Sequence, residues 1–166
     1  MGKKTIIILS FIVVLFFFSL TPLHVLRIEA TRENQTVFLQ TIRPGDTFST
    51  GYIHSVELTP VKEYFTIDDN FRIVLYKTTF SSCNTGLPTT LSGDETFFID
   101  EDHFRISNMH RVVPALDLWV NKKYDNTLTL GNGTVLKLPS LAGDTLLRIA
   151  VEKMPFFNVL YHKATM

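Results

Sequence analysis

Gly51-Tyr52-Ile53-His54-Ser55-Val56-Glu57-Leu58-Thr59-Pro60-Val61-Lys62-Glu63-Tyr64-Phe65, read GYIHSVELTPVKEYF, sets aromatic and β-branched residues on both sides of Thr59-Pro60. Such a pattern around a proline turn predicts a β-hairpin. Successive strand side chains point to opposite faces, so Phe48, Thr50, Tyr52, His54 and Val56 share one face of the first arm. Ser49, Gly51, Ile53, Ser55 and Glu57 share the other. With Pro60 and Val61 at the turn's centre, Leu58 is expected to pair with Glu63 and Val56 with Phe65, which puts Glu63 on the His54 face. A turn one residue longer would instead put Glu63 beside Ser55 and Glu57. In either register His54 and Ser55 point apart and cannot serve each other as base and nucleophile.

The same β pattern continues outward from this hairpin. Further strands are expected at Val37 to Ile42, Thr47 to Glu57, Val61 to Ile67, Phe71 to Phe80, Phe97 to Ile99, His103 to Ile106, Ala115 to Val120, Thr127 to Leu130, Val135 to Leu138 and Thr145 to Val151. Turn signals separate them, among them Pro44-Gly45-Asp46, Asp68-Asp69-Asn70, Ser92-Gly93-Asp94 and Gly143-Asp144. Around Gly131-Asn132-Gly133 a three-residue loop pairs Leu128 with Leu136, whereas a two-residue turn would set Lys137 against the apolar face. Short strands at close spacing predict an all-β fold, an antiparallel β-sandwich or a flattened barrel. No window beyond the N-terminus shows a sustained helical period.

The N-terminus departs from this pattern. After MGKK, the stretch from Thr5 to Leu20 (TIIILSFIVVLFFFSL) is almost wholly apolar, with a weaker apolar tail ending near Leu26. A targeting segment is the reading. Phe16-Phe17-Phe18-Ser19-Leu20 lacks the small residues of a cleavage site, and through Leu26 the stretch is long enough to cross a bilayer. An uncleaved N-terminal hydrophobic helix is therefore expected over residues 1–26, with a linker over 27–36 (RIEATRENQT) and the β domain over 37–166. Lys3 and Lys4 keep the short end inside, placing the domain outside the cytoplasmic membrane, single-pass, or secreted if the segment is removed.

Sixteen basic and sixteen acidic residues balance over the 166-residue chain. Lys3 and Lys4 precede Leu26 and no acidic residue does, so the part beyond Leu26 has fourteen basic against sixteen acidic residues. No basic stripe calls for nucleic acid. Cys83 is the one cysteine, which excludes an internal disulfide and a lipoprotein N-terminus.

Three readings compete for the polar residues of the hairpin. His54 and Glu63 would satisfy each other as a charge-assisted pair on an apolar face, since either alone would carry a desolvation penalty. Alternatively they would converge with His103 or His110 on a ligand or metal, although no pair has a diagnostic spacing. A hydrolase built on Ser55, Ser81 or Ser82 is the third, but no G-x-S-x-G elbow is present. The structural pair is preferred, with no catalytic residue, metal or cofactor assigned. Trp119 is expected in the core.

The HSVE-x-TPV-x-E block, with His54, Ser55, Glu57, Pro60 and Glu63, is followed farther on by TTFSSCNTGLP, with Gly86 and Pro88. Together they resemble a family of small exported bacterial domains, domain of unknown function 1850. The likeness runs from about Val37 to Val151, and toward the C-terminus it rests on the looser pattern of Leu128, Leu136, Leu138, Gly143 and Val151. It implies no established chemistry. Its members tend to be encoded beside tripartite TRAP transporters of the TAXI type, which import organic acids with an extracytoplasmic binding protein. The expectation from this likeness is a non-enzymatic accessory or binding module near such a permease or its solute-binding protein, with His54, Ser55, Glu57, Glu63, Gly86 and Pro88 bordering a ligand or partner surface. The alternative is a hydrolytic or metal-assisted enzyme built around His54 and Glu63.

Overall fold

The computed structural model describes residues 2–4, 8, 10, 21–81 and 91–165. The apolar run from Thr5 to Leu20 therefore lies almost wholly outside the described residues, and so does the helix expected there. Among the described residues no helix is long and apolar enough to cross a membrane.

The chain is mostly β, arranged as two antiparallel sheets, neither closed into a barrel. The first has the order β2-β1-β12-β9, with β1 Pro22–Ala30, β2 Gln35–Thr41, β9 Leu116–Val120 and β12 Thr145–Pro155. The second has the order β11-β10-β3-β4-β5-β7-β6. Its strands are β3 Thr47–Ile53, β4 Pro60–Ile67, β5 Ile73–Phe80, β6 Thr96–Ile99, β7 Phe104–Ser107, β10 Thr127–Leu130 and β11 Val135–Lys137, with β8 Arg111–Val113 added beside β5. Two helices follow late in the chain, α1 Leu138–Ala142 and α2 Phe156–Thr165.

Both sheets contribute to one core. Leu26, Ile28, Leu147, Ile149 and Val120 from the first meet Phe48, Phe65, Ile67, Ile73, Leu128 and Leu130 from the second. The opposite face of the first sheet carries Val25, Leu39 and Met154, which α2 covers with Val159. Phe48 and Phe65, cross-strand partners, stack in the core with ring centroids 5.0 Å apart.

Strand β1 corrects the expected domain boundaries. Residues Pro22 to Leu26 are not the last turn of an anchor, and Arg27 to Thr36 is not a linker. They form a strand, a turn and the start of β2. Leu26, Ile28 and Ala30 alternate into the core, and β1 lies between β12 and β2 with partners on both sides. Arg27, on the opposite face, finds Glu152, Glu29 and the Thr36 hydroxyl, so a sequence that reads as polar and unpatterned is held by cross-strand pairs.

The hairpin over Gly131 to Gly133 forms as expected, with Leu128 opposite Leu136. Gly133 has φ +87°, a left-handed conformation that glycine adopts without steric cost, and the Asn132 side chain accepts from the Thr134 N–H at 3.0 Å. The β3–β4 hairpin does not take the expected register. Ile53 pairs with Pro60 and Thr50 with Glu63, leaving a six-residue loop from His54 to Thr59. Pro60 opens strand β4, where its missing N–H costs no ladder bond, and is not the corner of a tight turn. Because the register differs by an even number of residues, the face assignments survive: Phe48, Thr50, Tyr52, Glu63 and Phe65 all share the inner face. Trp119 is half exposed rather than core, with the Arg32 guanidinium 4.8 Å above its ring.

Candidate functional site

The loop between β3 and β4 is built by its own backbone and one side chain. The His54 N–H donates to the Thr59 carbonyl at 2.8 Å, and the Leu58 N–H donates to the His54 carbonyl at 2.9 Å. His54 Nδ1 then accepts from the N–H groups of Glu57 at 3.2 Å and Val56 at 3.4 Å, as a capping side chain does at the start of a helical turn. The loop closes through Leu58 at φ +55°, which places a branched side chain in the left-handed region. Ser55, Val56 and Leu58 are exposed at the tip, and Glu57 is partly buried.

His54 and Glu63 are therefore not partners, although they lie on the same side of the hairpin. His54 belongs to the tip, while Glu63 sits well down the ladder opposite Thr50 and Thr78. The longer loop is the reason: it removes His54 from the strand and spends its imidazole on the turn.

Glu63 forms part of a polar row instead. Across the inner face of the second sheet run Leu128, Thr50, Glu63, Thr78 and Ile106, each opposite the next. Thr50 and Thr78 are buried. The Thr50 hydroxyl donates to Glu63 Oε2 at 3.4 Å, and Thr78 donates to the Lys62 carbonyl at 3.4 Å. This row separates the shared core from a second cluster of Val61, Phe80, Ile106 and Met109, against which Tyr52 and Phe104 pack. Burial pushes the Glu63 carboxyl up from its ordinary range, against the smaller pull of the Thr50 hydroxyl. The Tyr52 hydroxyl, partly buried and facing the Glu63 charge, is pushed up to about 12.

The end of the sheet that carries the tip also takes in Pro60, Val61, Phe80, Phe104 and Ile99. Val61 pairs with Phe80 and Phe80 with Phe104, which in turn faces Ile99. Strand β5 therefore ends beside Pro60 and the tip. Ser82, Cys83, Gly86 and Pro88, which follow in the chain, lie outside the described residues. A shallow cleft of about 290 Å³, lined by Pro60, Lys62, Thr79, Phe80, Ser81, Asp102 and His103, marks the outer side of this end. His103 there is engaged by Asp102 at 2.9 Å and Asp100 at 3.3 Å. His110 is elsewhere, its Nδ1 3.1 Å from the Asn108 carbonyl. Among the described residues no group of three His, Cys, Asp or Glu is arranged to hold a metal ion.

Three exposed apolar side chains crown the same end: Val56 and Leu58 on the tip, each 65% exposed, and Ile99 on β6, 76% exposed. Sequence reasoning did not single them out, because a lone exposed aliphatic residue carries no signal until the register shows its neighbours. The buried Thr59 hydroxyl at the base of the tip has no hydrogen-bond partner among the described residues.

A family model described as a domain of unknown function (DUF1850) matches residues 48–136, a span that takes in the tip, the polar row and the Gly131–Gly133 hairpin. No curated protein and no solved structure matches the chain.

Proposed function

Because the chain belongs to the DUF1850 family, whose description names no activity, we propose from its own geometry that it is a non-enzymatic binding module. Its two sheets pack as a β-sandwich held outside the cytoplasmic membrane by the apolar segment before Thr21, as a single-pass protein. Its partner belongs to a tripartite TRAP transporter of the TAXI type, and the solute-binding protein is favoured over the permease.

The observation that carries this reading is the exposed apolar end of the second sheet. Val56 and Leu58 stand on a tip whose backbone is fixed by His54, with Ile99 at the same end. Apolar side chains held in water on a rigid turn suit a protein partner better than chemistry. Ser55 has an exposed position on that tip, and the adjacent His54 is not its base, since His54 Nδ1 is occupied with backbone N–H groups. Position supports the choice of partner. Thr21 and the N-terminus of α2 lie beside the start of β1, whereas the tip lies at the far end of the seven-residue β3, about 20 Å away at about 3.3 Å per residue. A surface that far from the chain's exit point is open to a soluble protein.

The test is a photo-reactive amino acid placed at Val56 or at Leu58 in the full chain, irradiated in native membranes, with Val135 on the opposite edge of the sheet as control. Adducts with a transporter's solute-binding protein from the tip positions, and not from Val135, support the reading. Equal adducts from all three positions, or none containing transporter components, count against it.

A further inference from the structure

Helix α2 presents a second apolar surface that the proposed partner site does not use. Its inner side is anchored by Val159, 3% exposed, against Val25, Leu39 and Met154. At 3.6 residues per turn, Phe157, Leu160, Tyr161 and Ala164 fall together on the opposite side. Phe157 is 64%, Leu160 49% and Tyr161 62% exposed, so the helix turns a continuous aromatic and aliphatic face to the outside. Two large aromatics on one short exposed helix face need an occupant.

The chain itself indicates which one. The Phe156 N–H, at the start of α2, donates to the Thr21 carbonyl at 3.1 Å. Thr21 immediately follows the sixteen-residue apolar run Thr5 to Leu20 in the chain, so the residue that follows that run is bonded to the start of α2. The charge near the helix suits an anionic surface. From Lys153 to Met166 the chain carries Lys153, His162 and Lys163 and no acidic residue. Lys153 and Lys163 are exposed. An aromatic face flanked by lysines, joined to the end of a lipophilic segment, has the composition of a helix that lies in the membrane interface.

We infer that α2 is an interfacial helix, which seats Phe157, Leu160 and Tyr161 in the headgroup region of an anionic bilayer and fixes the tilt of the domain on its anchor. This rests on the reading that residues before Thr21 hold the chain in the membrane. It goes beyond that reading by assigning the second contact. With α2 on the bilayer, the end of the first sheet that contains Val25 and Met154 lies nearest the lipid, and the tip of the second sheet is held away from it.

The experiment uses the full chain reconstituted into vesicles of phosphatidylethanolamine and phosphatidylglycerol. Trp119→Phe removes the native indole, and Phe157→Trp, Tyr161→Trp or Val135→Trp places a single reporter. In the Phe157→Trp and Tyr161→Trp chains, emission is expected to shift to the blue. It should also be quenched by lipids brominated in the upper acyl region, consistent with burial about 5–10 Å into the interface. The Val135→Trp chain is expected to stay unquenched. Adding Leu160→Asp to the Phe157→Trp chain should abolish the quenching. Flotation with the vesicles but no quenching at 157 and 161 overturns this inference alone and directs the face to a protein partner. Failure of the chain to float overturns the anchor as well.

Discussion

Strand β1 should decide whether the domain folds at all. A chain beginning at Glu33 keeps every strand of the second sheet but loses Val25, Leu26, Ile28 and Ala30, each no more than 2% exposed. The three larger side chains are worth about 1.5–3 kcal/mol apiece in burial, so about 5–9 kcal/mol is forfeited. Leu147, Ile149 and Leu39 on the neighbouring strands also lose their cover. Since domains of this size are stable by only about 5–15 kcal/mol in total, a chain from Glu33 should lack a cooperative unfolding transition, whereas one from Thr21 should keep it. Ile28→Ala in the longer chain gives the graded version, with an expected loss of about 2–5 kcal/mol. Urea denaturation followed by tyrosine fluorescence and near-ultraviolet circular dichroism reads both. A chain from Glu33 with the same midpoint and slope as the chain from Thr21 would refute the placement of β1 at the centre of the first sheet. The consequence reaches processing as well. A proteolytic cut after Ala30 would delete the strand, so any cut compatible with the fold falls ahead of Pro22.

Other outcomes follow from the candidate site. Glu63→Gln should stabilise the protein at neutral pH. The folded state raises the Glu63 carboxyl above its ordinary value of 4.5, so it holds a proton that the unfolded chain gives up as pH rises past that value. The native protein therefore loses stability relative to the variant from near pH 4.5 upward, at about 1.4 kcal/mol per unit of displacement, and the two should converge in more acid solution. A gap that widens toward acid would contradict this sign. His54→Ala should loosen the tip by about 0.5–1 kcal/mol, the low end for a lost cap given the long bonds, with faster hydrogen exchange at the Glu57 amide. His54→Asn, which keeps an acceptor, should restore much of the protection. Unchanged exchange in the alanine variant would show that the imidazole does not hold the loop. Leu58→Asn should raise stability by about 0.5–1 kcal/mol, because asparagine tolerates the left-handed region and Leu58 buries little. It should also weaken cross-linking from Val56. A lower midpoint would mean that the leucine side chain supports the fold.

Most strands of the second sheet were legible from their β-branched and aromatic residues between turn signals, whereas the three-residue β8, Arg111–Val113, was not expected. The Leu128 to Leu136 register followed from the need to keep Lys137 off the apolar face. Three features were hidden, each for a physical reason. Strand β1 follows the apolar run Thr5 to Leu20 without a clear break in the sequence, so its alternation of Leu26, Ile28 and Ala30 merges into a longer hydrophobic stretch. Helix α2 (FFNVLYHKAT) is apolar on its inner and outer sides, and a helix with two apolar faces shows no clean 3.6-residue period. The hairpin register failed because Thr59-Pro60 reads as the corner of a tight turn. Proline is equally suited to open a strand, and the His54 imidazole supplied the turn that Pro60 did not. The candidate site met the same limit. The face that Glu63 occupies hung on the parity of the turn, and its partners Thr50 and Thr78 on the register itself, both of which the sequence left open.

The tip carries costs that stability alone would not select. Among the described residues, five other than glycine have positive φ: Asn34, Leu58, Phe71, Asn108 and Asp125. Asparagine and aspartate enter the left-handed region readily, and Phe71 stacks on the His24 ring with centroids 3.4 Å apart. Leu58 has neither excuse: it is aliphatic, γ-branched and 65% exposed. It stands beside Val56, equally exposed, and above the Thr59 hydroxyl, which is buried without a partner among the described residues. A glycine or asparagine at position 58 would close the same turn at lower energy, and polar residues at 56 and 58 would cost nothing in water. Strain held in place by a capping imidazole, together with apolar surface left uncovered, is what a preformed contact looks like before its partner arrives. The buried polar row behind it, with Glu63 at its centre, keeps the strands beneath the tip in one register. The tip is then held on ordered strands while the Val56 and Leu58 side chains remain in solvent.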